Sequence, residues 1–170
     1  MANSTALTGG TRALLDILFQ KQIDLSKLKD ALNINSGVNW SFGDEAAQAN
    51  LLYHASLTAS NTESAVDISG AAVKDAFGDT VSFAALKFFY VKNTDAMEDL
   101  KLGGLPSNGT QDVLICQITG DIILVKPGGF FAWCDPSAGG LDVSGAYDDL
   151  QIQAESDSIT YELVLLGEKA

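Results

Sequence analysis

From Asp112 to Gly167 the chain alternates apolar and polar residues in short runs broken by glycine-rich turns. Leu150, Ile152 and Ala154 alternate with Asp149, Gln151 and Gln153, and Ile159, Tyr161, Leu163 and Leu165 continue the pattern further on. Between the runs lie Lys126-Pro127-Gly128-Gly129, Asp135-Pro136-Ser137-Ala138-Gly139-Gly140 and Ser144-Gly145. A period of two places every second side chain on one face of a strand, and turn clusters at this spacing join the strands into antiparallel sheets. The pattern predicts a small β-sandwich.

The same reading extends upstream to about residue 45. Leu51, Tyr53, Ala55 and Leu57 line one face of a strand over Gln48 to Thr58. Glu63 to Ile68 reads as a short strand, and Ala71 to Gly78 as a helical turn ended by Gly78. Val81 to Lys92 is apolar at both parities, so it is expected at the centre of a sheet or under a cover. Met97 to Leu102 is another short strand, and Val113 to Thr119 with Ile122 to Lys126 predicts a hairpin about Gly120-Asp121. With Phe130 to Cys134, Asp149 to Glu155 and Ile159 to Leu166, the strands suit a jelly-roll-like antiparallel sandwich over residues 45–170.

Residues 1–44 read differently. Thr11 is a candidate N-cap for a helix to about Lys21, with Leu14, Ile17 and Leu18 in one stripe that Leu15 and Phe19 widen. Asp24 is a candidate cap for a second helix carrying Leu25, Leu28 and Leu32, and residues 33–44 read as a polar linker holding Trp40 and Phe42. The expectation is an N-terminal α-helical arm. Its wide apolar stripe nominates Leu14, Leu15, Leu18, Phe19, Leu28 and Leu32, together with Trp40, as a partner interface.

Charge narrows the partners. Acids outnumber bases 22 to 10 in 170 residues, for a net charge of −12. A chain that neutralises phosphates needs clustered Lys and Arg, and here the basic residues are scattered. Neither nucleic acid nor an anionic membrane is expected as a partner. No apolar run approaches the ~20 residues a spanning helix requires. Met1 to Gly10 has neither the charged start nor the apolar core of a secretory leader, so synthesis in a cytoplasm is expected.

The residues that carry chemistry are few. His54 is the sole histidine, too little for a metal site that takes several, and no nucleophile motif surrounds it. Cys116 and Cys134 both sit in apolar strand-like runs and are expected as reduced, buried thiols. Asp135, Asp142, Asp148, Asp149 and Asp157 lack the spacing of a calcium loop and read as a solvated acidic rim. Trp40, Trp133 and Tyr147 could form a sugar-stacking platform, although Trp133 shares a face with Phe131 that suits the core. Neither an enzyme nor a bound cofactor or metal is expected.

The order of short motifs adds to this. Val66-Asp67-Ile68-Ser69-Gly70, then Asp75-Ala76-Phe77-Gly78-Asp79-Thr80-Val81-Ser82-Phe83, then Phe88-Phe89-Tyr90-Val91-Lys92-Asn93-Thr94, is followed by Leu100-Lys101-Leu102-Gly103-Gly104 and Ile123-Leu124-Val125-Lys126-Pro127-Gly128-Gly129. Asp149-Leu150-Gln151-Ile152 and Tyr161-Glu162-Leu163-Val164-Leu165-Leu166-Gly167 complete it. Over about residues 45–167 this order resembles small structural proteins of tailed-bacteriophage virions. The resemblance implies no catalytic residues. It implies a structural part of the particle, on the head, a fibre or the tail. The role expected from the resemblance together with the acidic balance is a capsid decoration or cement protein, made in the host bacterial cytoplasm, as a homo-oligomer with a trimer favoured, bound to the major capsid protein or another virion protein. The alternative is a glycan- or receptor-binding fibre or tail module.

Overall fold

A computed structural model of the chain describes residues 6–23, 26–62, 65–70, 73–75, 77–103, 122–143 and 149–170, with the backbone alone at 15, 16, 19, 21–23 and 26–30. Cys116, Tyr147 and the strand expected over Val113 to Thr119 lie outside the described residues. So do three residues of the turn expected over Ala71 to Gly78. The described part of that turn is not helical: Lys74 and Thr80 bridge, Asp75 Oδ1 accepts from the amides of Phe77 and Asp79, and Gly78 turns the chain at φ 87°.

The protein is mainly β, and its strands pair antiparallel apart from one short parallel contact. The order along the chain is β1 (Thr8–Ile23), β2 (Ser26–Phe42), β3 (Gln48–Ala49), β4 (Leu51–Ser60), β5 (Ala65–Asp67), β6 (Phe83–Asn93), β7 (Leu100–Gly103), β8 (Ile122–Val125), β9 (Phe130–Cys134), β10 (Leu141–Asp142), β11 (Asp149–Ala154) and β12 (Ser158–Lys169). One sheet runs β10-β6-β12-β4, with β9 sharing the β10 edge of β6. A second runs β5-β11-β7-β8.

One hydrophobic core joins these two sheets. Tyr53 and Ala59 of β4, Phe89 and Val91 of β6, and Ile159, Tyr161, Leu163 and Leu165 of β12 meet Leu100 and Leu102 of β7, Val125 of β8, and Leu150, Ile152 and Ala154 of β11. β12 alternates exposed and buried residues over its first half, as its sequence period requires. β6 is central, as its two apolar faces predict: Phe89 and Val91 point into the core, while Phe88 and Tyr90 lie on the outer face. Asn93, wholly buried, ties the sheets together. Its Nδ2 donates to Val125 O at 2.9 Å and to Glu98 O at 2.7 Å, and its Oδ1 accepts from the Asp95 amide at 2.9 Å.

The N-terminal arm departs from expectation. No helix occurs among the described residues. β1 and β2 pair over their whole length, from Thr8↔Ser41 to Ile23↔Ser26, as a two-stranded ribbon about 50 Å long at ~3.4 Å per residue. The segment 33–42, read as linker, is the second half of β2. The physical reason lies in the spacing. Leu14 and Leu18 are four apart, which suits one face of a helix and equally one face of a strand. Local preference then favours the strand: Thr8, Thr11, Ile17, Ile23, Ile34 and Val38 are β-branched, and Gly9, Gly10 and Gly37 weaken a helix.

Candidate interaction surface

Directly opposed residues of a ribbon share a face, and faces alternate along each strand. Thr11↔Val38 and Ile17↔Leu32 are opposed pairs, so Thr11, Ile17, Leu32, Ile34, Val38 and Trp40 lie on one face. Leu14↔Asn35, Leu18↔Ala31 and Arg12↔Gly37 define the other.

The first face meets the sandwich at its base. Trp40 is 4% exposed and packs with Ala49 and Leu166, with Leu7, Val38 and Phe88 around them. Its Nε1 donates to Thr11 Oγ1 at 3.0 Å, and that hydroxyl lies 3.9 Å from Cys134 Sγ. Phe88 and Cys134 are themselves opposed across β6 and β9. The ribbon therefore crosses the outer face of the β6–β12 sheet at the Phe88–Leu166 patch.

The joint is fixed by a buried cation. β6 carries a bulge between its Leu86↔Gly167 and Phe88↔Leu166 pairs, and Lys87 is the extra residue. Its side chain is 0% exposed. Nζ donates to the carbonyls of Asp44 at 3.2 Å and Glu45 at 2.9 Å, in the segment joining β2 to β3. Glu168 Oε1 lies 2.5 Å from Nζ as an ion pair outside good hydrogen-bond alignment. Ala47, at φ 57°, holds the same segment to β9's exit loop, its amide donating to Pro136 O at 2.8 Å.

Beyond this base the described side chains of the ribbon are bare. Leu14 is 65% exposed and Leu18 55%, on one face; Ile17, Leu32 and Ile34 are exposed on the other. Of the nominated interface, Leu14, Leu18 and Leu32 thus face solvent and Trp40 faces the sandwich. The side chains of Leu15, Phe19 and Leu28 lie outside the described residues. Ile17 stood in the expected helical stripe without being nominated for the interface, and Ile34 was missed because it falls in the segment read as linker. The signal that would have found them is the period-two run Ile17, Leu32, Ile34, Val38, Trp40 through an antiparallel register. Near the base, the face carrying Arg12 bounds a shallow cavity of about 580 Å³ with Gly10, Thr11, Asn35, Gly37 and Asn39.

The sandwich offers an aromatic patch that the sequence reading did not single out. Tyr90 and Phe130 stack with ring centroids 5.8 Å apart, and Phe130 is 68% exposed. Trp133 lies half-buried against the core, on the same side of β9 as Phe131. Cys134 corrects an expectation: it is a free thiol in an exposed residue, because β9 lies at the sheet edge and Cys134 falls on its outer face. The sulfur itself is crowded by the ribbon. Desolvation pushes its pKa above the ordinary thiol value, the Thr11 contact pulls it back, and the Asp135 carboxylate adds to the rise. His54 is exposed on β4. Among the described residues, no three His, Cys, Asp or Glu side chains gather as a metal site.

No family model, no curated protein and no solved structure matches this chain.

Proposed function

We propose that this chain is a structural protein of a tailed-bacteriophage virion, a capsid decoration or cement protein that works by non-covalent contact and catalyses no reaction. The observation that carries the reading is the ribbon: about 50 Å of paired strand, anchored by a buried lysine and leaving Leu14, Ile17, Leu18, Leu32 and Ile34 in solvent. A two-stranded ribbon is marginal alone in water. Its exposed apolar side chains suit a protein that completes its structure within an assembly.

The strand order supports a jelly-roll body, which is the finer form of the fold. Starting from β4 and leaving out the short β10, the eight strands among the described residues divide as first, eighth, third and sixth in one sheet, and second, seventh, fourth and fifth in the other. That is the wrapping of two Greek keys. The acidic balance suits a place on the outside of a particle, away from packaged nucleic acid. The partners would be further copies, as a trimer, and the major capsid protein, with the chain made in the bacterial cytoplasm. Each contact is modest, and several copies joined together gain ~10²–10⁴ in avidity. The other reading, a glycan- or receptor-binding fibre module, loses part of its platform, since Trp40 is taken up by Leu166 and Ala49.

The test is binding of the purified chain to expanded capsids that lack it. Stoichiometric binding is expected, and deletion of residues 1–36 should lower it at least about tenfold, ~1.4 kcal/mol. Absence of binding to any capsid preparation, with glycan binding in its place, would overturn the reading.

A further inference from the structure

We propose that the bare part of the ribbon docks on a second copy of this chain, its Ile17–Leu32–Ile34 face covering the Tyr90–Phe130 patch on the neighbour's outer sheet. This rests on reading the ribbon as an assembly element and names what that element takes.

Two observations select the occupant. The first is continuity. The ribbon face that carries Val38 and Trp40 onto Phe88 and Leu166 is the face that runs on, uncovered, through Ile34, Leu32 and Ile17. The sheet face that receives Trp40 likewise runs on from Phe88 to a half-buried Tyr90 and an exposed Phe130. Each half of one intramolecular interface therefore continues as an apolar strip, and the ribbon of a given copy leaves its own Tyr90–Phe130 pair free. A neighbouring ribbon would extend the packing already seen at Trp40.

The second is charge. Residues 8–42 hold four basic residues (Arg12, Lys21, Lys27, Lys29) and three acids (Asp16, Asp24, Asp30). The rest of the chain holds six basic residues and nineteen acids. Two sandwiches repel each other, whereas the ribbon has a slight positive balance. Placing ribbon on sandwich brings opposite net charges together, while sandwich on sandwich does not.

The contact is heterologous, ribbon to sheet, so each copy gives one surface and receives the other. Copies related by a closing rotation form a ring in which every ribbon and every aromatic patch is used.

The full-length chain tests this by sedimentation or light scattering, with near-UV circular dichroism to report the fold. The unaltered chain should run as a closed oligomer. Ile17→Asp with Leu32→Asp, on the ribbon, should give a folded monomer, and so should Phe130→Asp, on the sandwich. Mixing the two variants should give a dimer and nothing larger, because one intact ribbon then meets one intact patch. A monomeric unaltered chain at about 100 µM, an oligomer that survives Phe130→Asp, or a mixture that stays monomeric would each overturn the proposal. If the ribbon variant fails to fold, Phe130→Asp alone still decides. A ring that binds no capsid would refute the virion reading and leave this one standing. A monomer that binds capsids through its ribbon would do the reverse.

Discussion

Lys87 and Glu168 meet at 2.5 Å beneath the segment that carries the ribbon onto the sandwich. The lysine is there because β6 bulges by one residue at Lys87, opposite the step from Leu166 to Gly167. In a regular strand Leu86 and Phe88, two positions apart, would share one face. With the bulge, Leu86 enters the core, Phe88 supports Trp40, and Lys87 reaches the carbonyls of Asp44 and Glu45.

Lys87→Ala leaves two carbonyls and a mostly buried carboxylate without their cation. Loss of one partner of a buried pair costs about 3–5 kcal/mol. Chemical denaturation should show a loss of this size, and limited proteolysis should cut earlier between residues 43 and 50. Lys87→Met combined with Glu168→Gln should recover part of the loss, since the pair is then removed together.

Asn93→Leu should destabilise by about 1–3 kcal/mol, because Val125 O and Glu98 O lose their donor inside the core. Thermal unfolding measures it. An unchanged midpoint would mean that the sheets are held by apolar packing alone.

Gly167→Ala should destabilise by about 1–3 kcal/mol or more. A Cβ at this position runs into the carbonyl oxygen of Ala85, on the backbone of β6, which cannot move without breaking the bulge that aims Lys87. Gly139→Ala, which meets nothing nearby, serves as the control and should be neutral within about 0.5 kcal/mol.

The alkaline limb of stability should follow two tyrosines. Desolvation raises the pKa of Tyr161, with a smaller push from Tyr53, and desolvation raises that of Tyr53 as well. A folded-state pKa above the unfolded value of about 10 means that the stabilisation is fully present below pH ~10. It is lost as pH rises through the folded values. Ultraviolet titration should show Tyr161 and Tyr53 ionising above the ordinary tyrosine value, and Tyr161→Phe should extend the stable range upward.

Cys134 should be alkylated in the native protein, since the residue is exposed and free. The rate at neutral pH should be low and should rise with a midpoint above the ordinary thiol value, because desolvation and Asp135 disfavour the thiolate. Thr11→Val removes the one contact that lowers this pKa and should shift the midpoint further up. Peptide mapping after iodoacetamide treatment reads both, and a native Cys134 that resists labelling at pH ~10 would count against the exposed edge.

By itself the sequence determined the sandwich. Alternation at Leu150, Ile152 and Ala154, and at Ile159, Tyr161, Leu163 and Leu165, has one solution, because a strand in register buries every second side chain and a slip of one residue exposes them all. The two-faced run from Val81 to Lys92 determined β6 as central for the same reason. At the N-terminus the sequence left the choice open. Leu14 and Leu18 satisfy a helix and a strand alike, and period alone cannot separate them. The structure decided it through cross-strand pairing, from Ile23 with Ser26 out to Thr8 with Ser41, which added to the local preference of the β-branched residues and turned a helical stripe into two ribbon faces. It also decided where Trp40 goes, that Lys87 is a buried staple, and that a half-buried Tyr90 stacks on an exposed Phe130. Each of these depends on residues more than 25 positions apart, and on a bulge that leaves no mark in the local pattern.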